Sequence, residues 1–397
     1  MSERSIVLLV GAVQFVNVLD FMMVMPLGPD FANALGITTS HIGIVGGSYT
    51  LAAAVTGVVG SLFLDRFDRR VALGVAMLGL VLGTALGGLA TGLPSLLFAR
   101  VVAGSFGGPA TSLSLAIIAD AIPKARRGKA LGAVMAAFSV ASVLGVPAGL
   151  ELAVRLGWRA PFFAVAGLGL VITVAAVWLM PSMRGHLAGP RPSGPKVKLF
   201  DSITGIALAN TALVTLGVFA VVPNISAFIQ HNLGFPRGDI GGLYLVGGIA
   251  SFVVMRLAGA LVDRFSASAV VMLGTVLHAF ALLTAFVYHF PWLPVVVIFT
   301  VFMLSASVRM VPLQTLNSRV PQPAQRARFM SAQSAVQHAA SAVGAMLASF
   351  VLIASPDGRL VRMDAVAWGA LIVACLVPIG AFLLERRINA RDAAPAT

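Results

Sequence analysis

Long apolar runs separated by short charged turns make up nearly all of this chain. Runs near 7–28, 42–64, 71–91, 94–118, 130–150 and 160–181 are followed by a second set near 203–226, 240–261, 268–289, 292–316, 329–353 and 365–385. Each is close to the 20 or so residues a helix needs to cross a hydrocarbon core. They are apolar nearly all round, whereas a soluble stack of helices would need a polar face on each. The pattern predicts an all-α membrane protein of twelve transmembrane helices. Pro181–Lys198 is rich in Pro, Gly, Arg and Lys and has no apolar periodicity, which marks a linker. The expected organisation is a six-helix half at 1–181, a cytoplasmic linker at 182–199, and a six-helix half at 200–397 that ends in a polar tail, Arg386–Thr397.

The turns also repeat. Ser61–Arg70 reads SLFLDRFDRR, and Gly259–Phe265 reads GALVDRF, so Asp263 matches Asp65 and Arg264 matches Arg66 at a distance of 198 positions. Each version ends one apolar run and begins another. Two pseudo-symmetric halves of this kind suit a secondary transporter.

Composition sharpens the membrane assignment. The chain is 58% hydrophobic and 10% charged, with a mean hydropathy of +0.96. Its 41 glycines continue through the apolar runs, as close helix packing in lipid tolerates. The net charge of +13 sits in turns, with no stripe of interleaved aromatics, which excludes nucleic acid as a partner. With the N-terminus inside, cytoplasmic turns and termini hold nineteen Lys and Arg and the outer turns five. That bias predicts both termini in the cytoplasm, with membrane lipid as a natural contact. The single Cys375 cannot form an internal disulfide. No cleavable signal peptide is evident, and no GxxxxGK[ST] motif suggests direct use of ATP. No cofactor or metal is expected.

A few polar residues inside the runs carry the candidate chemistry. Asp20 lies deep in the first run, where an unpaired carboxylate is expensive. Burial favours its neutral form and a nearby cation its ionised form. An acid balanced between them can load and release a proton, contact substrate, or form a static pair between helices. Asn17 is one turn earlier, able to meet substrate or another helix. Arg100 matches Asp20 in depth and is its expected partner. Arg309 either snorkels to the headgroups or faces a cavity, where it would attract an anion or offset Asp20; Gln314 and Asn317 extend its polar face. Gln333 and Gln337 share a face of the eleventh run, with His338 one position round. They read as substrate cavity or as structural hydrogen bonds. Asp65, Arg66, Arg69, Arg70, Arg256, Asp263 and Arg264 are candidates for a cytoplasmic gate.

These residues resemble the major facilitator superfamily. Ser61–Arg70 is similar to its signature loop between the second and third spans, roughly G-x-L-x-D-R-x-G-R-R, with Ser61 and Asp68 in place of two glycines. Arg100 with Gly104 resembles the fourth-span R-x-x-x-G motif. Gly145–Gly149, GVPAG, resembles a degraded fifth-span exporter motif, and Asp20 resembles the first-span acid of twelve-span drug/proton antiporters. The resemblance implies a bacterial inner-membrane antiporter that works by alternating access as a monomer. Asp20 and Arg100 would couple to protons. The corresponding positions of the first and seventh spans make Asn224 a candidate wall residue. A transporter of sugars, organic acids or other metabolites is the alternative. A non-transporting sensor, a structural protein or a membrane-embedded enzyme would represent other classes.

Overall fold

A computed structural model of the chain describes residues 2–184, 201–288, 290, 292–321 and 326–393, without the side chains at 61–63, 65, 124, 125, 326 and 327. Of the expected linker 182–199, only 182–184 lie among the described residues. Twelve described helices are long and apolar enough to cross a membrane. They are α1 Glu3–Val24, α2 Thr39–Gly60, α3 Arg69–Gly88, α4 Leu93–Ala121, α5 Arg126–Leu156 and α6 Ala160–Leu179, then α7 Ser202–Asn232, α8 Arg237–Arg264, α9 Ala267–Val287, α10 Val295–Arg319, α11 Arg328–Val351 and α12 Met363–Ala393. The protein is an all-α multi-pass membrane protein. Among the described residues, the one departure is an antiparallel pair between α11 and α12, β1 Ile353–Ala354 with β2 Leu360–Val361.

α3 shows why these helices belong in lipid. Leu73, Met77 and Leu80 are fully buried on one face, while Val71, Val75, Leu78, Leu82 and Leu86 form an exposed stripe on the other. Both faces are apolar, so water is excluded from the outer one as well. Helix starts are fixed by short polar caps. Ser2, Asp68, Asp201 and Ser266 accept backbone N–H bonds at the starts of α1, α3, α7 and α9.

The chain forms two compact units, Met1–Pro195 and Lys196–Thr397. In the first, α3 packs on α4 and α6, α2 on α4, and α1 on α5 and α6. In the second, α9 packs on α10 and α12, α8 on α10, and α7 on α11 and α12, which is the same set six helices later. The register of the repeat is 198 residues well beyond the charged turns. Gly36 and Gly234 both take left-handed backbone, with φ of 64° and 67°, which favours glycine. The 3-10 turns Thr39–His41 and Arg237–Asp239 follow in equivalent places, and so do the caps Asp68 and Ser266.

Several helices outrun their apolar stretches. π-helical turns at Ala141–Gly145, Phe228–Asn232 and Leu283–Val287 carry α5, α7 and α9 through local irregularities. The first lies against the fifth-span motif, where Gly145 faces Leu19 of α1. The polar tail expected from Arg386 is instead helical to Ala393. Arg391 explains this, because it donates to the carbonyls of Val320 (2.9 Å) and Arg319 (2.7 Å) at the end of α10.

α12 also closes the start of α9. The Glu385 carboxylate accepts from the backbone N–H groups of Ala267 and Ser268, both at 3.0 Å. These are free donors of a first helical turn, and the negative charge suits the helix dipole. Glu385→Ala is expected to cost about 1–2 kcal/mol, seen as a fall of several degrees in the melting temperature of the detergent-solubilised protein. Glu385→Gln should recover part of it.

Candidate functional site

A fully buried polar centre lies inside the first unit. Arg100 projects from α4 toward Asp20 of α1. Nη1 donates to Oδ1 at 3.1 Å and Nη2 to Oδ2 at 2.9 Å, with both side chains buried. The planar guanidinium thus meets the carboxylate as a two-pronged fork. Thr84 of α3 stands 2.8 Å from Oδ1 and 2.8 Å from the carbonyl of Leu80. Its single hydroxyl proton is therefore divided between an acid and a backbone acceptor. Tyr49 of α2 lays its ring 4.6 Å from the Arg100 Cζ and adds a cation–π contact.

Asn17 occupies the next turn of α1. It donates to the Gly107 carbonyl (3.0 Å) and to Thr111 Oγ1 (2.7 Å), and its oxygen accepts from the Tyr49 hydroxyl (3.0 Å). The amide is thus fully engaged between helices, and Asn17 ties α1, α2 and α4 together around the ion pair. The fourth-span glycine has a steric reason. A Cβ on Gly104 would lie 2.2 Å from the Tyr49 carbonyl oxygen, so only glycine lets α2 come this close.

The signature loop forms a second cluster at the start of α3. Asp68 caps that helix through the Arg70 N–H (2.9 Å) and accepts from Ser182 Oγ, the Met183 N–H (3.1 Å) and Arg184 Nε (3.3 Å) just past α6. The acid that replaces a motif glycine therefore joins α3 to the end of α6. Arg69 Nε reaches Asp120 at the end of α4 at 3.2 Å, and Arg70 donates to the Met180 carbonyl at 3.3 Å. Arg66 is exposed, and the Asp65 side chain lies outside the described residues. In the second unit, Asp263 and Arg264 are exposed, Arg264 lies over Phe265, and Arg256 lies over Phe252. No ion pair joins these three among the described residues.

A small, shallow cleft lies in the second unit between α7, α10 and α11. Gln333, Gln337, Gln314, Asn317, Thr211 and Thr215 supply its polar lining, beside Val214, Met310 and Leu313. Gln333 donates to Gln314 at 3.2 Å, and Asn317 to Thr211 at 3.2 Å. His338 is half-buried one position round from Gln337 and is not part of this lining. Asn224 is fully buried on α7, and both of its amide atoms lack a partner among the described residues. Arg309 neither snorkels nor enters the cleft. It is 1% exposed and packs on Gly274 of α9, on another side of α10.

Sequence reasoning missed Tyr49, Thr84, Asp120, Thr211 and His278. Tyr49 had one available signal, as one of three tyrosines in the chain and the only one in the first half. Asp120 sits at the end of an apolar run, beside a basic turn. Nothing set Thr84 or Thr211 apart from other threonines inside the runs, and His278 differed from its apolar neighbours only in being polar.

The family profile described as Major Facilitator Superfamily matches residues 10–211 and 207–396. A chloramphenicol resistance protein of Streptomyces lividans is 28% identical over 273 residues, covering 68% of this chain and 69% of that protein. Multidrug resistance protein 2 of Bacillus subtilis (strain 168) is 24% identical over 281 residues, covering 68% and 70%. The crystal structure of a D-xylose-proton symporter superposes with a TM-score of 0.75 at 18% identity, covering 96% of both chains. An inward-facing, occupied bacterial homologue of the human lysosomal transporter Spinster gives 0.74 at 17%, covering all of both. At such identities the two structures speak for the fold alone.

The Asp68 cluster makes a pH prediction. Burial raises the pKa of this acid, but the bonds from Ser182, Met183, Arg70 and Arg184 together outweigh it and hold the pKa at about 2, below the ordinary 3.8. A depressed folded pKa contributes stability above the unfolded value, and that contribution is lost as pH falls from about 4 through about 2. Asp68→Asn should therefore destabilise the protein by about 1–2 kcal/mol at pH 7. The difference from wild type should shrink toward pH 2, as thermal melts across that range will read.

Proposed function

The chain belongs to the major facilitator superfamily, and on that premise we propose that it exports small, partly apolar compounds from the cytoplasm in exchange for protons. The observation that carries the reading is the Asp20–Arg100 pair with its divided Thr84 hydroxyl. A carboxylate buried without water needs its cation, and separating the two costs about 3–5 kcal/mol. Protonation removes the acid's charge and releases much of that attraction. The Thr84 proton can then turn wholly to the Leu80 carbonyl, while the new acid proton is donated to the Thr84 oxygen. No hydrogen-bonding group is stranded by that step, although Arg100 gives up its counter-charge. Asn17 and Tyr49 hold the surrounding helices in either state.

The relatives named for chloramphenicol and multidrug resistance support an export role. The mixed lining of the cleft, amides and hydroxyls beside Val214, Met310 and Leu313, suits a compound with apolar and hydrogen-bonding parts, and we assign substrate contact to Gln333 and Gln337. The charge asymmetry of the turns supports a bacterial inner-membrane protein with both termini cytoplasmic. In that orientation the Asp68 cluster lies on the cytoplasmic side, and we assign it, with Arg69 and Arg70, to the inner gate of an alternating-access cycle performed by a monomer. Asp65, Arg66, Arg256, Asp263 and Arg264 belong to the same proposal as the outlying charges of the two turns.

The test is transport of chloramphenicol and ethidium in proteoliposomes under an imposed pH gradient. Wild type should move at least one of them with the gradient as driving force. Asp20→Asn, which keeps the shape and loses the titration, should lower gradient-driven transport at least about tenfold while leaving binding measurable. Gradient-driven movement that survives this substitution intact would remove Asp20 from the coupling.

A further inference from the structure

The second unit contains a buried charge with no counter-charge. Among the described residues, all three guanidinium nitrogens of Arg309 lack a hydrogen-bond partner, although the residue is 1% exposed. Arginine does not give up its proton in a protein, so this is a fixed cation with five unmet donors. Arg100, equally buried in the first unit, has Asp20. None of the seven Asp and Glu residues in the second unit is buried, and the half-buried Glu385 serves the start of α9.

A second bare group stands beside it. His278 of α9 is fully buried, with Nδ1 2.9 Å from Ser305 Oγ. Ser305 gives its only proton to the Phe302 carbonyl at 2.7 Å, so its oxygen must accept from Nδ1–H. That assigns the tautomer and leaves Nε2 as a lone pair, and Nε2 has no partner among the described residues. Two rungs of one helix interface carry the arrangement. His278 meets Ser305 on one, and Gly274 meets Arg309 on the other, each pair of residues on a helix being four apart. A Cβ at Gly274 would lie 2.7 Å from Arg309 Cγ, so glycine provides the room for the arginine stem. Helical side chains lean toward the N-terminus, which carries the guanidinium from Gly274 toward the His278–Ser305 rung.

We propose that the α9–α10 interface binds a small monovalent anion, with Arg309 as its charge partner. Nε2 of His278 accepts a hydrogen from a water or hydroxyl that accompanies the anion. The anion supplies in the second unit what Asp20 supplies in the first. A free halide and the carboxylate of a solute share this chemistry, and the assignment holds whatever compound the protein transports.

The test is the melting temperature of the full-length protein in detergent, in potassium chloride, bromide, acetate or gluconate at equal ionic strength. A halide site predicts melting about 5 °C higher in saturating chloride or bromide than in gluconate, with half the effect at millimolar salt. Crystals grown in bromide should then show anomalous density against Arg309. The same rise in acetate alone assigns the site to carboxylates. Arg309→Met, which keeps the length and removes the charge, should abolish the response. If that variant does not fold, Gly274→Ala, which crowds the arginine stem, should weaken the response at least threefold. Equal melting of wild type in all four salts would mean that water fills the site, and would overturn the proposal. So would an unchanged response in either variant, or a bromide peak without any millimolar effect, which would mark an adventitious ion only.

Discussion

A charge held inside a membrane protein must be matched by another within a few ångströms, and in the first unit that requirement fixes the position of four helices. Asp20 and Arg100 come from α1 and α4, and their fork geometry leaves little freedom in the relative height or rotation of the two. Thr84 brings α3 to the same point and Tyr49 brings α2. The small residues follow from this. Gly104 is needed because the Tyr49 backbone lies against α4, and Asn17 is needed because helices so close must share their polar groups. The apolar exteriors of the same helices contribute little to this specificity, since lipid tails contact a leucine as readily as another helix does.

The two units keep one set of helix contacts but apply different chemistry to it. At the start of α3 the acid is on the capped helix, where Asp68 draws donors from the end of α6. At the start of α9 the acid is on the partner helix, where Glu385 draws donors from α9 itself. Both arrangements join a third helix to a sixth, and both satisfy the free N–H groups of a helix start. The buried arginines diverge more deeply. Arg100 is neutralised from within, whereas Arg309 has five donors and no acid. A duplicated fold can keep its packing while its charges drift, provided each buried charge still finds a partner from some source.

The twelve spans, their division into two sets and the partnership of Asp20 with Arg100 were legible because each rests on a strong signal. Apolar length is set by bilayer thickness, and a carboxylate in such a run requires a cation at its own depth. The helix ends were less legible. Arg391 extends α12 past its apolar run, and that bond depends on α10 lying beside it. Asp68 looked like a damaged motif position because its partners, Ser182 to Arg184, are over a hundred residues away in sequence. Arg309 marks the sharpest limit. Its depth suggested a cavity or the headgroups, but its side of α10 is set by a glycine on α9, and no periodicity of α10 reports that.

The same requirement for partners constrains how a coupling centre can work. If protonation of Asp20 left Thr84 without an acceptor, or Arg100 without any attraction, the protonated state would be too costly to populate. The hydroxyl avoids the first problem because Leu80 already offers it a second acceptor at the same distance. The Tyr49 ring lessens the second, because its attraction for the guanidinium persists when the carboxylate is neutral. Under the proposed coupling, protonation would weaken the hold between α1 and α4 without abolishing it. A centre that loosens by a few kcal/mol is well matched to biasing a two-state conformational equilibrium, since a difference of about 5.5 kcal/mol suffices to invert a population from 1:99 to 99:1. An aliphatic residue in place of Tyr49 would leave the neutral state with a stranded cation. The aromatic ring is therefore as much a part of the proposed proton chemistry as the acid itself.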